Sequence, residues 1–146
     1  MKMSHLALIV AVAAGISGVT LAHHDEQGKG KPKVTTLSER DIAEHVDGKK
    51  AKATTVEVSL APGQESAPHR HPGPVFGYVL EGKYEWAIDD QPVKTLKAGD
   101  TFYEPTGCLH RVSKNPDDKT RTRILAVVLQ PRDAEKLVIP EPVKKK

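Results

Sequence analysis

His69, Arg70 and His71 stand together near the middle of the chain, and His110 follows His71 by 39 residues. Imidazole is a ligand for most divalent transition metals. Two histidines two apart point the same way on a β-strand, because side chains alternate faces there. A third histidine from a neighbouring strand would complete one face of a coordination sphere. Three protein ligands leave open positions at a metal, which is what catalytic metals need. Any one of these residues alone would read as a surface or hydrogen-bonded core histidine. The surrounding elements therefore decide the matter.

Those elements are short strands separated by turn chemistry. Val56, Val58 and Leu60 alternate with Thr55, Glu57 and Ser59, so 53–60 reads as a half-buried strand. Pro72-Gly73-Pro74 breaks the ladder after the histidines, because proline cannot donate to it. Val75 to Leu80 is a near-continuous apolar strand, turned at Glu81-Gly82. Tyr84, Trp86 and Ile88 then share one face of the next strand. Strands follow over Pro92–Leu96, Thr101–Glu104, His110–Ser113 and Arg123–Leu129, with Gly, Pro, Asn and Asp between them. Before this series, Ser38 to His45 reads as one helical turn. Ser38 is its N-cap, Glu39 and Asp41 fill its first turn, and Ile42 is its buried anchor. About eight strands at regular spacing predict an all-β sandwich or barrel.

The spacing around the histidines carries more. Gly63 is followed after five residues by His69-Arg70-His71, and that stretch ends at Gly82. Gly99 is followed after five residues by Pro105-Thr106-Gly107, then by His110, ending near Asn115. These stretches resemble the two signature motifs of the cupin superfamily, in the right order and with a short loop between them. The resemblance covers about 63–115 and is closest to small, single-domain, quercetin-dioxygenase-like barrels. It implies a cupin-type double-stranded β-helix, a jelly-roll barrel with a metal inside one end. It implies His69, His71 and His110 as metal ligands. The family's usual glutamate falls at Val75, and valine cannot ligate. The site therefore resembles three-histidine variants of the family.

Three neutral ligands leave a metal's positive charge uncompensated, which favours an anionic or enolizable substrate, or hydroxide. Fe(II) is the first choice of divalent transition metal, with Mn, Ni, Cu and Zn as alternatives. Glu104, on the strand leading to His110, is the first candidate for a replacement ligand or general base. Tyr103 beside it is the candidate to line the cavity, and Glu57 is a lesser carboxylate candidate. Arg70 alternates with the two histidines and is expected on the outer face in an ion pair. Cys108 reads as a small thiol held in its loop, with a soft-ligand role as the alternative.

The chain's 146 residues suit one domain. Lys2 and the small apolar run from Leu6 to Val19 precede Thr20-Leu21-Ala22, which resembles a signal-peptidase cut. Residues 1–22 are thus expected to be a signal peptide, 23–33 a flexible linker, 34–140 the barrel and 141–146 a basic tail. No cysteine stands near the cut, which argues against a lipoprotein. Export would place the mature chain in the periplasm or outside the cell, off the membrane. His23 would then be the new amino terminus, and a polar leader is the preferred reading over a copper-binding one. A single cysteine excludes an intramolecular disulfide. A barrel of about 110 residues must then rely on its core, a metal or a homodimer. Aromatic residues make up only 4% and the net charge is +3, which argues against a nucleic-acid partner. The expected partner is a small-molecule substrate or ligand. The leading function is dioxygenase-like chemistry, and a non-catalytic metal- or ligand-binding barrel is the alternative. A metal-independent sugar-binding barrel is disfavoured by the three intact histidines.

Overall fold

A computed structural model of the chain describes residues 30–142. The expected signal peptide, most of the expected linker and residues 143–146 of the basic tail lie outside the described residues. Among the described residues every regular element is a strand. They are β1 (Lys33–Val46), β2 (Lys49–Leu60), β3 (His69–Arg70), β4 (Val75–Glu81) and β5 (Lys83–Ile88). They continue as β6 (Lys94–Lys97), β7 (Thr101–Glu104), β8 (His110–Lys114), β9 (Thr122–Pro131) and β10 (Ile139–Pro140).

Two five-stranded antiparallel sheets face each other, in the orders β1-β2-β9-β4-β7 and β10-β3-β8-β5-β6. This is the jelly-roll architecture expected from the motifs. The alternation along each strand sets the inside. On β9, Thr122, Ile124, Ala126, Val128 and Gln130 are buried while their neighbours are half exposed. On β4, Val75, Gly77 and Val79 point in, and Phe76, Tyr78 and Leu80 point out. Leu60, Val79, Tyr84, Trp86, Ile88 and Ile124 close one end of the barrel. Val56, Val75, Ala126 and Val128 form a second cluster, and this part of the interior holds a cavity. Gly77 is part of the closure. A Cβ there would collide with the Phe102 ring, which lies 5.6 Å from Tyr84 and 5.7 Å from Trp86, centroid to centroid.

The motif glycines are turn residues. Gly63, Gly82, Gly99 and Gly107 all have positive φ, between 66° and 96°, a region that costs any side chain with a Cβ. Asp47 and Gly48 turn β1 into β2, with φ of 52° and 75°.

The segment Ser38–His45 differs from its expectation. It is part of β1, not a helical turn. Ser38, Glu39, Arg40 and Asp41 pair with Thr55, Thr54, Ala53 and Lys52 of β2, with a register shift on either side, between Thr36 and Ser38 and between Asp41 and His45. One isolated helical turn is marginal in water. A long partner strand satisfies the same backbone groups and wins. Gly30 to Lys33, at the end of the segment read as a linker, also lie against the barrel. The Gly30 carbonyl accepts a 2.7 Å hydrogen bond from Gln64 Nε2.

Candidate metal centre

His69 and His110 are direct cross-strand partners of β3 and β8. Opposed residues on an antiparallel pair share a face. His71, two residues on from His69, shares it too. The three rings consequently cluster, with centroids 4.9 Å apart for His69–His71 and His69–His110, and 6.4 Å apart for His71–His110. One ring nitrogen from each lies within 4.8 Å of the others.

Backbone carbonyls fix two of the tautomers. His69 Nδ1 lies 2.8 Å from the Ala67 carbonyl, and His71 Nδ1 lies 2.6 Å from the Leu137 carbonyl. A carbonyl only accepts, so each Nδ1 carries the hydrogen and each Nε2 keeps its lone pair. At His110 the anchor is Tyr84. The Tyr84 hydroxyl donates to Ser113 Oγ at 2.9 Å and lies 3.2 Å from His110 Nε2. With its hydrogen engaged by Ser113, Tyr84 accepts from His110 Nε2, which leaves the lone pair on Nδ1.

Glu104 faces the same point. It is 1% exposed, with Oε1 3.1 Å from His110 Nδ1 and Oε2 3.6 Å from His71 Nε2. Trp86 Nε1 donates to Oε1 at 3.0 Å. Glu104 Oε2 and His110 Nδ1 are buried without any hydrogen-bond partner. Acceptor atoms thus converge with no donor between them, an arrangement that is costly unless a cation satisfies it. The donor set of imidazole nitrogens and one carboxylate fits a divalent transition metal.

Burial sets the protonation of these groups. Desolvation lowers the pKa of His69, that of His71 to about 4, and that of His110 to about 3, where the neighbouring histidines add to the effect. All three are neutral at pH 7 and competent to ligate. Desolvation pushes Glu104 up to about 7, against the opposing Trp86 hydrogen bond. The Tyr84 hydroxyl is raised by burial and stays protonated.

Register explains how a carboxylate reaches a site whose motif position is Val75. Val75 of β4 and Glu104 of β7 are paired residues, both pointing in. The carboxylate is therefore displaced by one strand from the position where the motif would supply it.

Tyr103 does not join the site. It is 49% exposed and packs against Phe76 on the outer face, ring centroids 5.2 Å apart. Adjacent strand residues point to opposite faces, so Glu104 pointing in requires Tyr103 pointing out. Glu57 is also outside. It forms a two-pronged ion pair with Arg123, at 2.8 and 2.7 Å. Cys108 is half-buried and packs against the barrel core. Its thiol is pushed up to about 11, first by burial and then by Glu104 and Asp89, so it is a protonated packing group.

Sequence reading missed three supports of the site. Tyr84 and Trp86 were legible as inward-facing, but only contact geometry shows that they anchor His110 and Glu104. The third support is a backbone atom, the Leu137 carbonyl, which leaves no mark in the sequence. The strap that carries it is tied down by β10, where Pro140 pairs with His69 and Ile139 with Arg70. Arg70 forms the expected outer ion pair, to Glu141 at 2.9 Å, and also donates to the Gly107 carbonyl at 2.8 Å. Outer partners of histidine ligands typically matter by about 10–100-fold in metal affinity. Truncation after Glu135 removes the Leu137 acceptor and the β10 pairing. It should weaken zinc binding within that range in a chelator competition, with the barrel still folded by circular dichroism.

The comparisons with known proteins agree with this geometry. A family model described as "Cupin domain" matches residues 56–128. No curated protein sequence matches the chain. Among solved structures, a conserved protein with a double-stranded β-helix domain from Klebsiella pneumoniae superposes with a TM-score of 0.58 at 24% identity. The match covers 78% of this chain and 89% of that one. The DMSP lyase DddQ from Ruegeria pomeroyi superposes with a TM-score of 0.58 at 18% identity, over 80% of this chain and 54% of that one. This chain thus accounts for about half the length of that lyase. A Cupin 2 conserved barrel domain protein from Salinispora arenicola gives 0.53 at 22% identity, over 69% and 76%. At these identities the likeness is one of fold. The matched residues run from the cavity wall at Val56 through both histidine motifs to Val128, and by that match the chain belongs to the cupin family.

Proposed function

We propose that this cupin is an exported metalloprotein of the periplasm or extracellular space. His69, His71 and His110 hold one divalent transition metal, Fe(II) first, for dioxygenase-like chemistry on a small organic substrate. The observation that carries this reading is the convergence of acceptor atoms, with Glu104 Oε2 and His110 Nδ1 buried and left unpartnered. The bound metal would supply Lewis acidity and access to O2 at its open positions.

The chain's own residues do the rest. The Ala67 and Leu137 carbonyls orient two imidazoles, and Tyr84 with Ser113 orients the third. Trp86 fixes Glu104 Oε1, so that Oε2 is the oxygen turned towards the histidine cluster. The valine-lined interior limits water around the reacting end.

The test is oxygen uptake by purified protein loaded anaerobically with Fe(II) and offered flavonol and diketone substrates. Substrate-dependent O2 consumption that His110→Ala abolishes is the expected result. Metal and ligand uptake without turnover would instead identify a binding protein.

A further inference from the structure

The cavity beyond the histidines has a volume of about 520 Å³, in the range of sites for small organic ligands. Its chemistry is one-sided. Val56, Val58, Val75, Ile124, Ala126 and Val128 line it from the β1-β2-β9-β4-β7 sheet. Phe102 and Leu137 extend the apolar wall. The buried polar side chains gather at the other sheet around the histidines, with Glu104 beside them. Apart from those, the charged residues lining the cavity among the described residues are Lys31 and Glu65. Both are exposed and they are opposite in sign.

A ligand entering this space meets polar partners at one end only. A second hydroxyl, carboxylate or phosphate on its far end would be taken out of water against valine and isoleucine with nothing to pair it, which is strongly unfavourable. An aryl or branched alkyl arm in the same place removes apolar surface from water on both sides and gains affinity. The valines and Ala126 also leave room because they are short. A larger residue at Ala126, between Ile124 and Val128 on the inward face of β9, would occupy the arm's place.

We infer that the site takes a lipophilic ligand with a single polar end: an aryl- or branched-alkyl-bearing molecule whose one chelating oxygen group meets the histidine face. Dianions, sugars and phosphate esters are disfavoured by the same wall, the exposed Lys31 being the one cationic side chain among its described lining residues. The polar end rests on the metal-centre reading above. The seat for the apolar arm does not.

Three 2-oxo acids separate the arm from the chelating group: pyruvate, phenylpyruvate and 2-oxoglutarate. Titration into the protein loaded with redox-inert Zn(II), followed by calorimetry, compares a methyl, an aryl and a charged arm on one chelate. Phenylpyruvate should bind about 10- to 100-fold tighter than pyruvate, the range expected for burying an aryl side group. Binding of 2-oxoglutarate should be no tighter than that of pyruvate. Ala126→Phe should erase the phenylpyruvate advantage while zinc affinity stays at the wild-type value. In parallel, the metal-free protein is titrated with the neutral fluorophore N-phenyl-1-naphthylamine. It should take up the dye, phenylpyruvate should compete for it, and Ala126→Phe should block uptake. Equal affinities for pyruvate and phenylpyruvate, or tightest binding of 2-oxoglutarate, would overturn the inference. Dye uptake by a protein that binds no zinc would reject the metal-centre reading and leave the apolar seat standing. Zinc binding without dye uptake or arm discrimination would reject this inference alone.

Discussion

Glu104→Ala should lower affinity for a divalent metal by at least about 10–100-fold, the loss typical of an outer-shell group, and Val75→Glu in the same chain should recover most of it. The paired register of Val75 and Glu104 places both side chains over the same end of the cavity. A carboxylate introduced at Val75 therefore meets the same histidines from the neighbouring strand. Glu104→Ala also leaves the buried Trp86 N–H without its acceptor, at a cost to stability of about 1–3 kcal/mol. Glu104→Gln keeps an acceptor for Trp86 and replaces the charged second oxygen with an amide donor. If the charge is what the metal needs, Glu104→Gln loses affinity while its unfolding midpoint stays near wild type. Chelator competition across the wild type, Glu104→Ala, Glu104→Gln and the double variant Val75→Glu/Glu104→Ala reads the result. A double variant no better than Glu104→Ala would show that the position of the carboxylate, and not its presence, is decisive.

Metal removal should have the largest effect on stability. A ligand held only by the folded state stabilises it by about 2.7 kcal/mol at a concentration 100 times its Kd. For a domain of this size that corresponds to a fall in Tm of about 10 °C on chelation, measured by thermal unfolding with and without EDTA. His71→Ala should show no such response.

The metal-free protein should also be acid-sensitive, with a sign set by burial. The histidines have folded pKa values below their ordinary 6.5, about 4 for His71 and about 3 for His110, because burial disfavours the charged ring. Their contribution is complete above pH 6.5 and is lost as pH falls towards the folded values, because the unfolded chain binds the protons first. Glu104 works in the opposite direction. Its raised folded value, about 7 against 4.5, contributes stability below pH 4.5 that is lost as pH rises through 7. Between pH 4.5 and 6.5 three histidines oppose one glutamate, so the metal-free midpoint should fall on acidification. Urea unfolding across that range would show it, and a midpoint that rises on acidification would contradict the assignment of neutral, buried rings.

Much of the centre is legible in the sequence itself. His69, His71 and His110 stand in motif register with turn glycines that do adopt positive φ, and period-two alternation alone puts His69 and His71 on one face. What stayed hidden depends on strand pairing. Val75 and Glu104 are 29 positions apart in the chain, and only the β4–β7 register shows that one stands across from the other. The same alternation that makes Glu104 an inward residue excludes Tyr103, so that misassignment came from treating sequence neighbours as spatial ones. The helical reading of Ser38–His45 failed for a related reason. Its N-cap and acidic first turn are local signals, whereas the β2 partner that overrides them is a tertiary feature. The Leu137 carbonyl is a backbone atom, and no side-chain pattern announces it.

The central claim is that three histidines on β3, its C-terminal extension and β8 form one metal centre. Elemental analysis of the protein isolated from the periplasm, without added metal or a histidine tag, tests it most directly, with His69→Ala prepared in parallel. The account predicts one transition-metal ion per wild-type chain and a clear loss of it from His69→Ala. A folded wild-type protein without transition metal, or equal metal content in both preparations, would contradict it.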